Sequence, residues 1–179
     1  MKITGRAPRR IGRRGPAIAG ALAAALGWAA CGGGRVQPAA TDASLARLAA
    51  AARRDAYGRP IELAPLLADH AVLYFFRTDC PHCAADVAAA ARLAARAGTP
   101  AVVLVSREGP ARLRRAFGPA PRGRLVVLSD SDGAIMGAAL PTRFVPRFVG
   151  VAGFRVRLDV TGDRGAGLAA ALAAVRALP

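Results

Sequence analysis

The stretch that decides the fold is "YFFRTDCPHCAADV", residues Tyr74 to Val87. An apolar run stops at Phe76, and two cysteines two residues apart, Cys80 and Cys83, follow before the chain turns alanine-rich. Such a pair serves as a redox centre, as half of a metal site, or as inert core thiols. Pro81 favours the first turn of a helix, because it lacks the N–H that would be unpaired there anyway. Cys80 therefore belongs at a helix N-terminus, close to solvent, which disfavours a pair of inert core cysteines. Unpaired amides and the helix dipole at that end stabilise an anion, so Cys80 should be the more thiolate-like of the two. Cys83, one turn on, is placed to close a disulfide with it or to resolve a mixed disulfide. His82 between them supplies an imidazole that can stabilise the Cys80 sulfur. A structural zinc site needs about four ligands, and the remaining candidates, His70 and Cys31, stand far apart in sequence.

Working outward, short apolar runs alternate with helical patterns. Ala71 to Phe76, Ala101 to Ser106 and Leu125 to Ser129 read as buried strands. The spacing predicts helices from the cysteines to about Ala97, over Pro110 to Phe117, and through Ala139 after the turn "DSDG". Arg147 to Val151 and Phe154 to Val160 read as a hairpin, and a last helix covers Gly167 to Leu178. Upstream, Leu45, Leu48, Ala49 and Ala52 share one helical face, which predicts a helix from Asp42 to about Arg54 capped by Thr41 or Asp42. Continuous apolar strands alternating with helices imply an α/β fold: a mainly parallel sheet covered on both faces, with the terminal hairpin adding antiparallel strands at one side.

The N-terminus reads as an export signal: a basic head, the apolar run Ala17 to Ala30, then small residues and Cys31. That run is short for a bilayer span, which takes roughly 20 apolar residues. Residues 1–30 are taken as the signal, 31–40 ("CGGGRVQPAA") as a flexible tether and 41–179 as one domain. "GWAACGGG" resembles a bacterial lipoprotein signal, which would make Cys31 the lipidated first residue of the mature chain. Trp28 stands where leucine is usual, and ordinary cleavage near Ala30 is the alternative. Either route leads to the periplasm or cell envelope, where disulfide chemistry is expected.

The formal charge of +15 is unevenly spread. Six basic residues fall before Gly15, and the remaining 20 against 11 acidic residues leave +9, scattered rather than clustered. With aromatics at 5%, this pattern argues against a nucleic-acid partner.

"YFFRTDCPHC" resembles the active-site strand and helix start of the thioredoxin superfamily. "CPHC" is similar to the motif of periplasmic oxidants of the DsbA type, while the layout from His70 to Leu178 resembles the membrane-tethered TlpA/ResA branch. The resemblance implies a thioredoxin-like fold and a thiol-disulfide oxidoreductase without cofactor, with Cys80 as nucleophile and Cys83 as resolving thiol. It further implies protein thiol or disulfide substrates, a membrane redox partner and a monomer. In the superfamily a cis-proline faces the cysteines, and the residue before it binds substrate backbone. "FVPRFVGVAGFRV" carries these roles to Val145 and Pro146, since proline sits readily at the first residue of a strand. Pro141 in "LPT" is the competing position. Relatives often bury an acid where this chain has Tyr74. Arg77 and Asp79, before Cys80, either tune its thiolate or form a solvated pair. An envelope Cu(I) chaperone on the same fold is the other reading, because soft thiolates suit that metal, although the chain has two methionines and no methionine or histidine cluster.

Overall fold

The computed structural model describes residues 37–51, 53–95, 98–162 and 166–176. The stretch read as an export signal and Cys31 lie outside the described residues. A five-stranded sheet is built from β3 (His70–Phe75), β4 (Ala101–Ser106), β5 (Leu125–Ser129), β6 (Arg147–Ala152) and β7 (Arg155–Thr161), in the order β5-β4-β3-β6-β7. β3, β4 and β5 pair in parallel, and β6 and β7 pair antiparallel. This is the mixed sheet expected from the pattern of runs. β3 and β4 are central strands buried on both faces, so neither shows polar alternation.

The period of two sorts their side chains onto two cores. Leu73, Phe75, Val103, Val105, Val149 and Val151 meet α1 (Asp42–Ala49) through Leu45 and Leu48, and α2 (Leu63–Ala68) through Leu63 and Leu67. Val72, Tyr74, Phe76, Leu104 and Phe148 face the other helices. These are α3 (Pro81–Ala94), α4 (Pro110–Phe117) and α5 (Ala166–Arg176), which contribute Cys83, Ala90, Leu113, Ala171 and Val175. The alanine-rich sequence has a packing use here. At Gly150 on β6, a built Cβ lies 3.0 Å from Val175 Cγ2 and 3.2 Å from the Ala171 carbonyl oxygen, so α5 rests directly on the strand.

One expectation is corrected. The first helix stops at Ala49, and Arg53–Arg54 (β1) instead pairs with Pro60–Ile61 (β2). The cause lies in Asp55, whose carboxylate accepts the N–H groups of Tyr57 (2.9 Å) and Arg59 (2.8 Å). Gly58, at φ 84°, supplies the left-handed step that closes the turn. Helix α2 went unseen because it is six residues long with Pro65 inside its first turn, where proline is tolerated. Gln37 to Ala40, the end of the stretch read as a tether, are bonded to the sheet. The Ala40 N–H donates to Asp159 (2.7 Å), and the Pro38 carbonyl accepts from Arg147 (3.0 Å). A shorter helical segment follows β5: the buried Asp130 carboxylate accepts the N–H groups of Ile135 and Met136, both at 2.7 Å, and opens a π-helical turn over Ala134–Ala139.

Candidate active site

Cys80 is the N-cap of α3 and Pro81 lies in its first turn. Cys80 and Cys83 are joined by a disulfide with Cα atoms 5.3 Å apart, inside the range the bond accepts. The two sulfurs differ in access: Cys83 is 1% exposed, whereas Cys80 is half-buried. The Cys83 N–H donates to the Cys80 carbonyl (3.0 Å) and to Cys80 Sγ (3.2 Å), so a helix-terminal amide already points at the accessible sulfur. The backbone of His82 continues the helix, but its side chain lies outside the described part of the structure.

Strand register brings the second half of the site to the first. Phe75 pairs with Arg147, so the chain leaving β3 toward Cys80 and the chain entering β6 through Pro146 share one end of the sheet on adjacent strands. The Val145–Pro146 peptide bond is cis, whereas Leu140–Pro141 is trans. Phe144, just before that bond, is 49% exposed despite its size.

Beneath the disulfide, Tyr74 is fully buried and stacks on Phe148, with ring centroids 4.5 Å apart. Its hydroxyl donates to Asp86 Oδ2 at 3.3 Å. Burial above all, and then the charge of Asp86, push the Tyr74 hydroxyl far above its ordinary value, so it stays a neutral donor. Asp86 stands three residues after Cys83 on the same helix, hence on the same face one turn away. A buried acid thus reaches this layer from the helix rather than from the strand.

Above the disulfide, Arg77 and Asp79 form an exposed two-point pair, with Arg77 Nε donating to Asp79 Oδ1 at 2.9 Å. The Arg77 guanidinium holds the Asp79 carboxyl below the usual carboxylate range. The loop between strand and helix is anchored by Glu108, a residue the sequence did not single out. Its carboxylate accepts the Thr78 N–H (3.0 Å) and hydroxyl (2.7 Å), and Arg112 donates to both Glu108 (3.0 Å) and Thr78 (2.9 Å). No short motif announces it, because the contact spans 30 residues.

The loop before β6 is anchored by Arg147, which is fully buried. A guanidinium carries five N–H groups, and here each has an acceptor. Nε and Nη2 donate to the two Asp159 oxygens (2.8 and 2.7 Å), Nη2 also to Pro38 O (3.0 Å), and Nη1 to Pro141 O (2.9 Å) and Thr142 Oγ1 (3.0 Å). Burial alone would raise the Asp159 carboxyl, but the hydrogen bonds from Arg147 and Ala40 and the arginine's charge outweigh it and leave it below the usual range.

With a half-buried and a buried cysteine at a helix start and a cis-proline loop at the same end of the sheet, the chain can be compared with solved structures. A secreted disulfide oxidoreductase of Mycobacterium tuberculosis, described as homologous to E. coli DsbE, is 24% identical with a TM-score of 0.61, covering 74% of this chain and 98% of its own. The chain has a thioredoxin-like fold. M. tuberculosis DsbF matches at 21% identity and TM-score 0.61 over 74% of this chain and 98% of its own. The exposed lipoprotein thioredoxin Etrx1 of Streptococcus pneumoniae matches at 18% and 0.59, over 72% and 98%. No family model and no curated protein matches the sequence. None of these neighbours is described as a copper protein, and among the described residues no three His, Cys, Asp or Glu side chains gather as ligands. The copper reading therefore gains no support.

Proposed function

We propose that this chain is an exported thiol-disulfide oxidoreductase that exchanges disulfides with protein substrates of the cell envelope through Cys80 and Cys83. The observation that carries this reading is the asymmetry of the pair: an accessible sulfur at the N-terminus of α3 and a buried one a turn behind it. In the reducing direction the Cys80 thiolate attacks a substrate disulfide, forming a mixed disulfide and releasing one substrate thiolate. The Cys83 thiol then loses its proton and attacks Cys80 Sγ, releasing the second substrate thiolate and leaving the intramolecular disulfide. Oxidation of a substrate dithiol is the same sequence reversed. The thiolate at Cys80 is stabilised by the helix-terminal amides, of which the Cys83 N–H is in place.

Pro81 sets the start of the helix, His82 between the two cysteines in sequence supplies an imidazole that tunes Cys80, and the backbone of Val145 with Pro146 docks the substrate chain. The resemblance to exported neighbours supports an envelope location, with Cys31 as the lipid anchor and a membrane protein as redox partner. A monomer suffices for this chemistry, because both cysteines and the cis-proline loop come from one chain.

The test is exchange with insulin disulfides and with a reduced, disulfide-requiring enzyme, together with the reduction potential of the pair against glutathione buffers. A potential near about −120 mV assigns the chain to installing disulfides, and one near about −270 mV to reducing them. A pair that exchanges with neither substrate at any poise overturns the proposal.

A further inference from the structure

Gln37 touches the loop before the cis-proline at two consecutive residues. Its carboxamide oxygen accepts the backbone N–H groups of Arg143 (3.0 Å) and Phe144 (2.9 Å), while its Nε2 donates to Thr161 Oγ1 at the end of β7 (2.7 Å). The chain from Pro141 to Val145 belongs to no strand, so those two amides have no ladder to join. Without Gln37 they turn to water, and the loop loses its link to the sheet on that side. On the other side Arg147 grips the same loop through Pro141 O and Thr142 Oγ1. Gln37 is itself fixed from behind, because Pro38 O accepts from Arg147 and the Ala40 N–H donates to Asp159. The result is a clamp with one jaw from the core and one from the segment preceding α1. What it holds is Phe144, 49% exposed, followed directly by Val145 and Pro146.

We propose that Gln37 is a positioning residue for substrate docking, fixing Phe144 and Val145 so that they receive an extended polypeptide carrying an apolar residue beside its cysteine. This rests on the oxidoreductase reading above. The partner chemistry follows from what the clamp presents: an apolar ring in solvent on a loop that belongs to no strand, directly before the cis-proline, where an extended peptide can lie alongside. The segment preceding α1 is thereby part of the substrate site, not only a connection to whatever lies upstream.

The test compares two disulfides on the full chain purified in detergent. One is a peptide with a leucine beside its cysteine, as the disulfide-linked dimer; the other is glutathione disulfide, too small to span the loop. Gln37→Ala removes two acceptor contacts and lowers the ratio of kcat/KM for the peptide to that for glutathione disulfide by roughly five- to tenfold, through KM. Gln37→Glu keeps an oxygen for both amides and returns the ratio to within about twofold of the starting chain. Phe144→Ala lowers the ratio in the same sense. The potential of the Cys80–Cys83 pair stays where it was in all three, which a general loosening of the fold would not allow. An unchanged ratio in Gln37→Ala overturns the inference while leaving the oxidoreductase reading intact, and so does an equal loss toward both disulfides or a shifted potential. A starting chain inert toward both disulfides overturns the two together.

Discussion

Replacing Asp159 by leucine takes away two of the five acceptors of a fully buried guanidinium and its only acidic partner among the described residues. Breaking a buried ion pair from one side costs about 3–5 kcal/mol, because the surviving charge stays out of water. Asp159 is 18% exposed and Arg147 keeps Pro38, Pro141 and Thr142, so the lower end applies, about 3 kcal/mol. Arg147→Leu costs a similar amount, about 3 kcal/mol, since two backbone carbonyls and a hydroxyl lose their donor. The double variant removes both charges together, and should lose about 3 kcal/mol rather than the roughly 6 that additivity requires. The coupling is therefore about 3 kcal/mol. Urea unfolding of the oxidised protein, followed by far-UV circular dichroism, measures all four corners of the cycle. Additivity within about 0.5 kcal/mol, or an Asp159→Leu cost below about 1 kcal/mol, would show that the buried pair does not hold this loop.

The same pair sets an acid limb. The Asp159 carboxyl is lower in the folded chain than in the unfolded one, so its contribution is complete above the ordinary value of about 4 and is lost as pH falls through the lower folded value. The stability difference between the starting chain and Asp159→Leu should shrink as urea midpoints are taken below about pH 4; a difference that grows on acidification would reverse the sign. Cys83→Ser should accumulate a mixed disulfide through Cys80 with substrate, seen as a shifted band on non-reducing gels, whereas Cys80→Ser should trap nothing. Gly150→Ala should lower stability by about 1–3 kcal/mol, because the new Cβ meets the backbone of α5, and a neutral thermal melt would count against that contact. Tyr74→Phe should cost about 1 kcal/mol for the lost hydroxyl bond to Asp86 and leave the aromatic stack in place, as read by near-UV dichroism.

The parts of this fold that were legible in the sequence are those set by short-range pattern. β4, α4 and β5 carry continuous apolar runs or a proline-opened helix, and their observed bounds coincide with the pattern. The placement of Cys80 at a helix start followed from Pro81 alone. What stayed hidden depends on partners far away in the chain or on one side chain's choice of acceptor role. The turn at Asp55 replaces helix because one carboxylate satisfies several local N–H groups at once, a choice that periodicity does not register.

Distance in sequence also explains why the residues framing the site were missed. Glu108 holds Thr78 from the loop after β4, Arg147 holds Thr142 from inside β6, and Gln37 holds Phe144 from a segment far upstream. Each is a polar side chain satisfying the backbone or hydroxyl groups of an irregular loop, and each loop lacks a ladder to do that itself. A chemical motif can be read locally because the reacting atoms are neighbours on one helix. The polar contacts that place substrate-binding backbone against it are long-range by nature, since a loop at the end of a sheet can be held only by elements that arrive there from elsewhere in the chain. Arg147 read as one more cation in an arginine-rich sequence; the fold makes it the residue on which the cis-proline loop, β7 and the incoming chain converge.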